Sequence, residues 1–193
     1  YEVNLEIYNL KDIKHPVVFY AASHYPHKGF EYYLMVASEV LKKFEATFIL
    51  GGRGPLTPYL KTLADKLGIS KNVIFTGWIS NYHMPYMLNK IADICVSTSL
   101  IEQLPSYVME CMAAGKPVVA SNVGGVPEIV IYGINGYLVP PRDYKETASR
   151  IMELLNEPKK ARGMGQTGRR IIEQQFNMEA SVKKLINILR GSV

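Results

Sequence analysis

The chain has 193 residues, 48% of them hydrophobic and 20% charged, which excludes a disordered or fibrous chain and suits one generous globular domain. At this length most apolar surface can be buried without a disulfide or metal staple, and no apolar run approaches the roughly 18 residues of a membrane span. The formal charge of +5 is too mild for a nucleic-acid-binding face, which clusters basic residues among aromatics.

The first fourteen residues show no clear period and read as a linker or edge segment. From there, short β-branched or aromatic runs at 17–22, 46–50, 72–76, 93–97, 117–121 and 136–139 read as buried strands. Helical periodicity separates them. In 31–44 the apolar residues Leu34, Ala37, Val40, Leu41 and Phe44 recur at three and four, and similar helices are expected at 56–67, 82–90, 106–114 and 143–155. The tail 158–189 reads as two more helices broken near 176–177. It carries Lys159, Lys160, Arg162, Arg169 and Arg170 with no acidic residue between them. That stretch accounts for the whole charge excess and reads as a solvated helix face, with an anionic membrane surface as the alternative partner. Cys95 and Cys111 sit in apolar segments, as buried thiols of a reducing compartment do. With no signal-peptide pattern in the first thirty residues, a cytoplasmic address is expected. Strands alternating with helices imply βαβ units and an α/β, doubly wound parallel sheet of about six strands with helices on both faces.

In such sheets ligands bind at the carboxyl ends of the strands. The loops there fail the common nucleotide signatures. No G-x-G-x-x-G follows the first strand, Gly52-Arg53-Gly54 runs into Pro55, and Gly115-Lys116 is followed by Pro117 rather than Ser or Thr. His24 and His27 have no neighbouring thiol or carboxylate to complete a metal set. No G-x-S-x-G elbow is present.

The loop after the fourth strand is more informative. Glu102 and Glu110 are eight apart, and a helix starting near Pro105 would leave Glu102 in the loop and Glu110 a turn or more inside. Free backbone N–H groups along Gln103, Leu104, Pro105, Ser106 and Tyr107 would then face the crevice, a setting that suits a phosphate. Two flanking carboxylates would accept hydrogen bonds from hydroxyls, so a nucleotide-sugar satisfies the whole arrangement. The alternative on spacing alone is a helix-terminal charge and a surface glutamate.

Glu102-x7-Glu110, the run from Cys111 to Ser121 and the turn Gly124-Gly125-Val126-Pro127-Glu128 together resemble the retaining glycosyl transferases group 1 family. Lys28-Gly29, the glycine loop after the second strand, Val73-Ile74-Phe75-Thr76-Gly77 and Gly136-Tyr137-Leu138-Val139 fall in the family's order. The resemblance implies a Rossmann-like domain, the C-terminal, donor-binding half of a two-domain GT-B fold. Residues 1–14 would be the link from a missing N-terminal domain, 15–175 the nucleotide-sugar-binding domain and 176–193 a C-terminal helix. It further implies that Glu110 holds the ribose hydroxyls, Glu102 positions the transferred sugar as the catalytic-site carboxylate, and residues 103–107 hold the distal phosphate and sugar. Lys28 would hold the diphosphate, and Ile79 would pack near the base.

The implied activity is transfer of a hexosyl group with retention, from a nucleotide-diphosphate-sugar to a sugar or lipid-linked acceptor bound by the missing domain. No metal is required, because helix amides and Lys28 would stabilise the leaving phosphate. The chain alone would be inactive, cytoplasmic or peripheral on the inner membrane face, and bind no nucleic acid. The alternatives are a non-catalytic nucleotide-sugar-binding module, or an epimerase or hydrolase relative on the same fold. One departure stands out: Ser23 occupies a position where the family usually carries Arg, which removes a bidentate phosphate donor. His24, His27 and Arg53 are the candidates to replace it.

Overall fold

A computed structural model describes residues 3–11, 13–176 and 178–190. Its centre is a single parallel sheet of six strands in the order β3-β2-β1-β4-β5-β6. The strands are β1 (Val17–Ala21), β2 (Thr47–Gly51), β3 (Val73–Gly77), β4 (Ile94–Ser97), β5 (Val118–Ser121) and β6 (Gly136–Val139). All six expected strands are present, with ends within one residue of the sequence reading. The runs were legible because β1, β2, β4 and β5 are buried at every position. A parallel sheet covered on both faces needs continuous apolar strands rather than alternating ones.

Alternate side chains of β1 feed two cores. Val18 and Tyr20 join one, under α1 (Phe30–Leu41), α2 (Thr57–Lys66) and α5 (Tyr144–Asn156). Val17, Phe19 and Ala21 join the other. That second face is covered by α4 (Ser106–Ala113) through Val108, Cys111 and Met112, and by Met87, Leu88 and Ile91. Ile171 and Ile172 of α6 (Pro158–Gln175) pack at its margin, and α7 (Met178–Leu189) follows. The expected break between these two helices falls at Phe176, which caps α6, while Asn177 lies outside the described residues.

Two segments differ from the sequence reading. The helix expected at 82–90 is a single α-turn, α3 (Met84–Tyr86), which continues as a π-helical turn over Met87–Ile91, closed by Ala92 N–H donating to Met87 O at 2.9 Å. The wider turn keeps Met87, Leu88 and Ile91 all buried, and such bulges are often found at functional sites. Residues 3–10, read as a linker or edge, lie against the second core. Asn4 caps a 3-10 turn (Leu5–Tyr8), Leu10 is fully buried, and the Tyr8 hydroxyl pairs with His83 Nδ1 at 2.7 Å.

The parallel pairing of β1 and β2 outlasts the strands. Ala21 is opposite Gly51, Ala22 N–H donates to Gly51 O at 3.1 Å, and His24 N–H donates to Arg53 O at 3.1 Å. The loops after these strands are thus held side by side.

Candidate functional site

The sheet reverses its winding between β1 and β4, and a crevice opens beyond their carboxyl ends, where such folds bind ligands. A cavity of about 210 Å³ lies there, lined among others by Ser23, Lys28, Glu102 and Ser106. A second, of about 260 Å³, shares Ala21, Ala22 and Ser23 with it and is lined further by Gly52, Arg53, Ile79 and Met84. A third, of about 400 Å³, shares Met84 and is lined by Asn81, Asn89 and Glu110. The first two share three lining residues, and the third joins this groove at Met84 and runs along α4 to Ala113 and Ala114.

Lys28 comes from the loop after β1. Gly29 follows it at φ 63°, and a Cβ there would meet Thr98 O at 2.2 Å, so only glycine lets this loop lie against the end of β4. Thr98 Oγ1 donates back to Gly29 O at 2.9 Å, and Leu100 N–H donates to His27 O at 2.8 Å. Across the crevice, Lys28 Nζ donates to Glu102 Oε2 at 2.8 Å, with both side chains mostly buried (20% and 16% exposed). Ser99 Oγ donates to the same carboxylate oxygen at 3.2 Å, and Tyr20 OH, which donates to Lys28 O, lies 3.0 Å from Ser99 Oγ. Burial pushes the Tyr20 hydroxyl far above its ordinary range, so it serves as a neutral hydrogen-bonding strut.

The 102–107 loop is pinned from the far side by the turn after β5. Gly125 N–H donates to Gln103 O at 3.1 Å. A Cβ on Gly124, at φ 51°, would meet Glu102 O at 1.5 Å, so the two backbones touch.

The helix start corrects one expectation. Pro105 is the cap residue and α4 begins at Ser106. Pro105 has no N–H, and the Ser106 N–H is occupied by Leu104 O at 2.9 Å. The first-turn donors that helix geometry leaves for a ligand are those of Tyr107 and Val108. Among the described backbone hydrogen bonds the amides of Gln103 and Leu104 also have no acceptor. The Tyr107 hydroxyl is committed to the core, where it donates to Phe19 O at 2.7 Å. Leu104 exposes its side chain (67%) at the crevice mouth.

Glu110 lies further along α4 and lines the third cavity, not the one that holds Glu102. Among the described residues it makes no ion pair, and partial burial raises its carboxyl above the ordinary 4.5. Ile79 is buried (4% exposed) in the wall it shares with Arg53. Of the candidates to replace the arginine absent at Ser23, His24 is excluded. It is fully buried, its Nδ1 lies 2.8 Å from Thr57 Oγ1, and burial lowers its pKa from 6.5, which keeps it neutral. His27 lies against the Tyr25 ring at 6.1 Å between centroids. Among the described residues no group of three His, Cys, Asp or Glu side chains is placed to hold a metal ion.

Sequence reading missed Tyr20 and Ser99, which hold Lys28 and Glu102, and Asn81 and Asn89, which face Glu110. The glycine turn at 124–125 was visible as a motif, but its contact with the 102–103 backbone was not.

The family model for glycosyl transferases group 1 matches residues 7–171. The chain belongs to that family. An alpha-D-kanosaminyltransferase of Streptomyces kanamyceticus is 30% identical over 186 residues, 96% of this chain and 47% of that protein. The crystal structure of Anabaena Alr3699/HepE in complex with UDP and glucose superposes with a TM-score of 0.81 at 25% identity, over 91% of this chain and 48% of that one. The C-terminal domain of a glycosyl transferase group 1 family protein (LpcC) from Francisella tularensis gives a TM-score of 0.78 at 24% identity, over 92% of this chain and 95% of that domain. The chain spans about half the length of the curated relative. The fold is the Rossmann-like one expected for half of a GT-B enzyme. Among the described residues no helix is long and apolar enough to cross a membrane.

Proposed function

We propose that this chain is the donor-binding domain of a retaining glycosyltransferase that moves a hexosyl group from a nucleotide-diphosphate-sugar to a sugar or lipid-linked acceptor. The observation that carries the reading is the crevice at the switch point, where Lys28, Glu102 and the first-turn amides of α4 converge, with Glu110 lining a further cavity along α4. Glu110, facing Asn81 and Asn89, takes the ribose hydroxyls, and Ile79 borders the base. Lys28 and the amides of Tyr107 and Val108 take the diphosphate, and Glu102 takes the sugar hydroxyls. The bound UDP and glucose of the Anabaena protein support this ligand class.

The Lys28–Glu102 pair then has a role as a placeholder. A bound phosphate takes over Lys28, and Glu102 is released to accept from sugar hydroxyls, so each side chain is held in place until its own ligand arrives. Charge on the departing phosphate meets amides and an ammonium already oriented toward it, which lowers the barrier electrostatically. Glu102 contributes by orientation rather than as a nucleophile. No metal ligand set is invoked. The acceptor binds to a domain outside this chain, and the chain by itself binds donor but transfers little or none. The family likeness to a C-terminal domain of the same length supports that division.

Calorimetric titration of the chain with UDP-, GDP- and ADP-sugars tests the reading. At least one binds, and Glu110→Ala and Lys28→Ala each weaken it. No binding by any of the three, or equal binding by both variants, rejects the donor-site assignment.

A further inference from the structure

The groove offers its ligand few cations. Of the residues lining its three cavities, Lys28 and Arg53 alone are basic. Lys28 is already engaged by Glu102. Among the described residues no carboxylate lies within ion-pair distance of Arg53, whose side chain is exposed on the wall of the middle cavity.

The position of Arg53 follows from the extended β1–β2 ladder. Its hydrogen bonds at Ala22 and His24 carry the Ala21–Gly51 register onward, which sets Ser23 directly across from Arg53. Neighbouring strands lie about 4.8 Å apart, and paired residues of parallel strands project to the same face. Gly52, at φ 108°, permits the approach, because a Cβ there would meet Ala22 O at 2.0 Å. Both Ser23 and Arg53 line the same cavity, which adjoins the one holding Lys28.

We propose that Arg53 grips the diphosphate of the donor, so that the guanidinium absent from the β1 loop at Ser23 is supplied laterally from the β2 loop. This rests on the donor-site reading above and adds to it a specific residue for the diphosphate. A planar guanidinium offers a phosphate two parallel N–H donors, which an ammonium does not.

The test compares UDP, GDP and ADP with the matching nucleosides, by calorimetry on the 193-residue chain. Arg53→Ala weakens the preferred nucleoside diphosphate roughly tenfold and leaves its nucleoside unchanged. Arg53→Lys falls between wild type and Arg53→Ala. Adding Ser23→Arg to Arg53→Ala restores binding of the diphosphate. Because Arg53 is exposed, all variants are expected to melt with wild type, and circular dichroism checks this. Unchanged diphosphate affinity in Arg53→Ala overturns the proposal, as does an equal loss for the nucleoside or a double variant as weak as the single one. If wild type binds a diphosphate and the Arg53 variants bind it as tightly, Arg53 alone is dismissed. If wild type binds none of the three diphosphates, the donor-site reading falls and takes Arg53 with it.

Discussion

The ammonium of Lys28 and the carboxylate of Glu102 are joined at 2.8 Å although 74 residues separate them in the chain. Their bond spans the seam where the sheet reverses its winding, tying the loop after β1 to the loop after β4. Glu102 is therefore a competitor for the cation a phosphate would use. Glu102→Gln keeps the shape and removes the charge, so nucleoside diphosphate should bind more tightly by about 1 kcal/mol, roughly fivefold. Calorimetry with UDP and GDP measures it, and an unchanged or weakened affinity contradicts the placeholder role.

Glu110 points the opposite way energetically. Its pKa is raised by burial, so the folded state holds the proton more tightly than the unfolded one. The stability this contributes is complete below about pH 4.5 and is lost as pH rises through the folded value. At neutral pH the ionised carboxylate is thus a cost of the ligand-free chain. Because Glu110 is exposed to solvent, the effect is screened and Glu110→Gln should gain no more than about 0.5 kcal/mol, seen as a rise of about 1–2 °C in Tm. The same variant should bind nucleotide less well, and a variant that loses both stability and binding would point to a structural role.

His24 gives a second pH signature. Its pKa is lowered from 6.5 by burial, so the unfolded state takes up a proton that the folded state refuses. Stability should fall as pH drops below about 6.5 and level off below the folded value. Urea midpoints between pH 7 and 5 should show that slope, and His24→Gln should flatten it. Equal slopes in both proteins would mean that other groups dominate the window.

The glycine turn can be probed by comparing two positions with the same backbone strain. Gly133 has φ 76° and open space around it, whereas Gly124 has φ 51° and Glu102 O where a Cβ would sit. Alanine at Gly133 should cost about 1–2 kcal/mol, the left-handed penalty alone. Alanine at Gly124 should cost distinctly more and also weaken nucleotide binding, since the 102–103 backbone must shift. Urea denaturation and calorimetry separate the two effects.

The strands were readable in the sequence because four of the six, β1, β2, β4 and β5, are buried at every position, and the E-x7-E block because it is long and local. What stayed hidden depends on approach between distant segments. Nothing near Lys28 in the chain reveals that its partner is Glu102. Nothing in His24-Tyr25-Pro26-His27 distinguishes the buried imidazole of His24 from the stacked one of His27. Helical periodicity at 82–90 is shared by α- and π-turns, so the bulge at Met87–Ile91 has no separate mark. Position 23 looked like a missing charge because the ladder that seats Arg53 across from it is a relation between loops.

The contact of Gly124 with Glu102 has a mechanical consequence. Two backbones that touch, with a hydrogen bond from Gly125 to Gln103 beside them, cannot slide past one another without one of them deforming. An opening or closing of the crevice that keeps this contact carries residues 102–103 and 124–125 together. Compliance engineered into this domain belongs outside that contact, where the backbone is free of it.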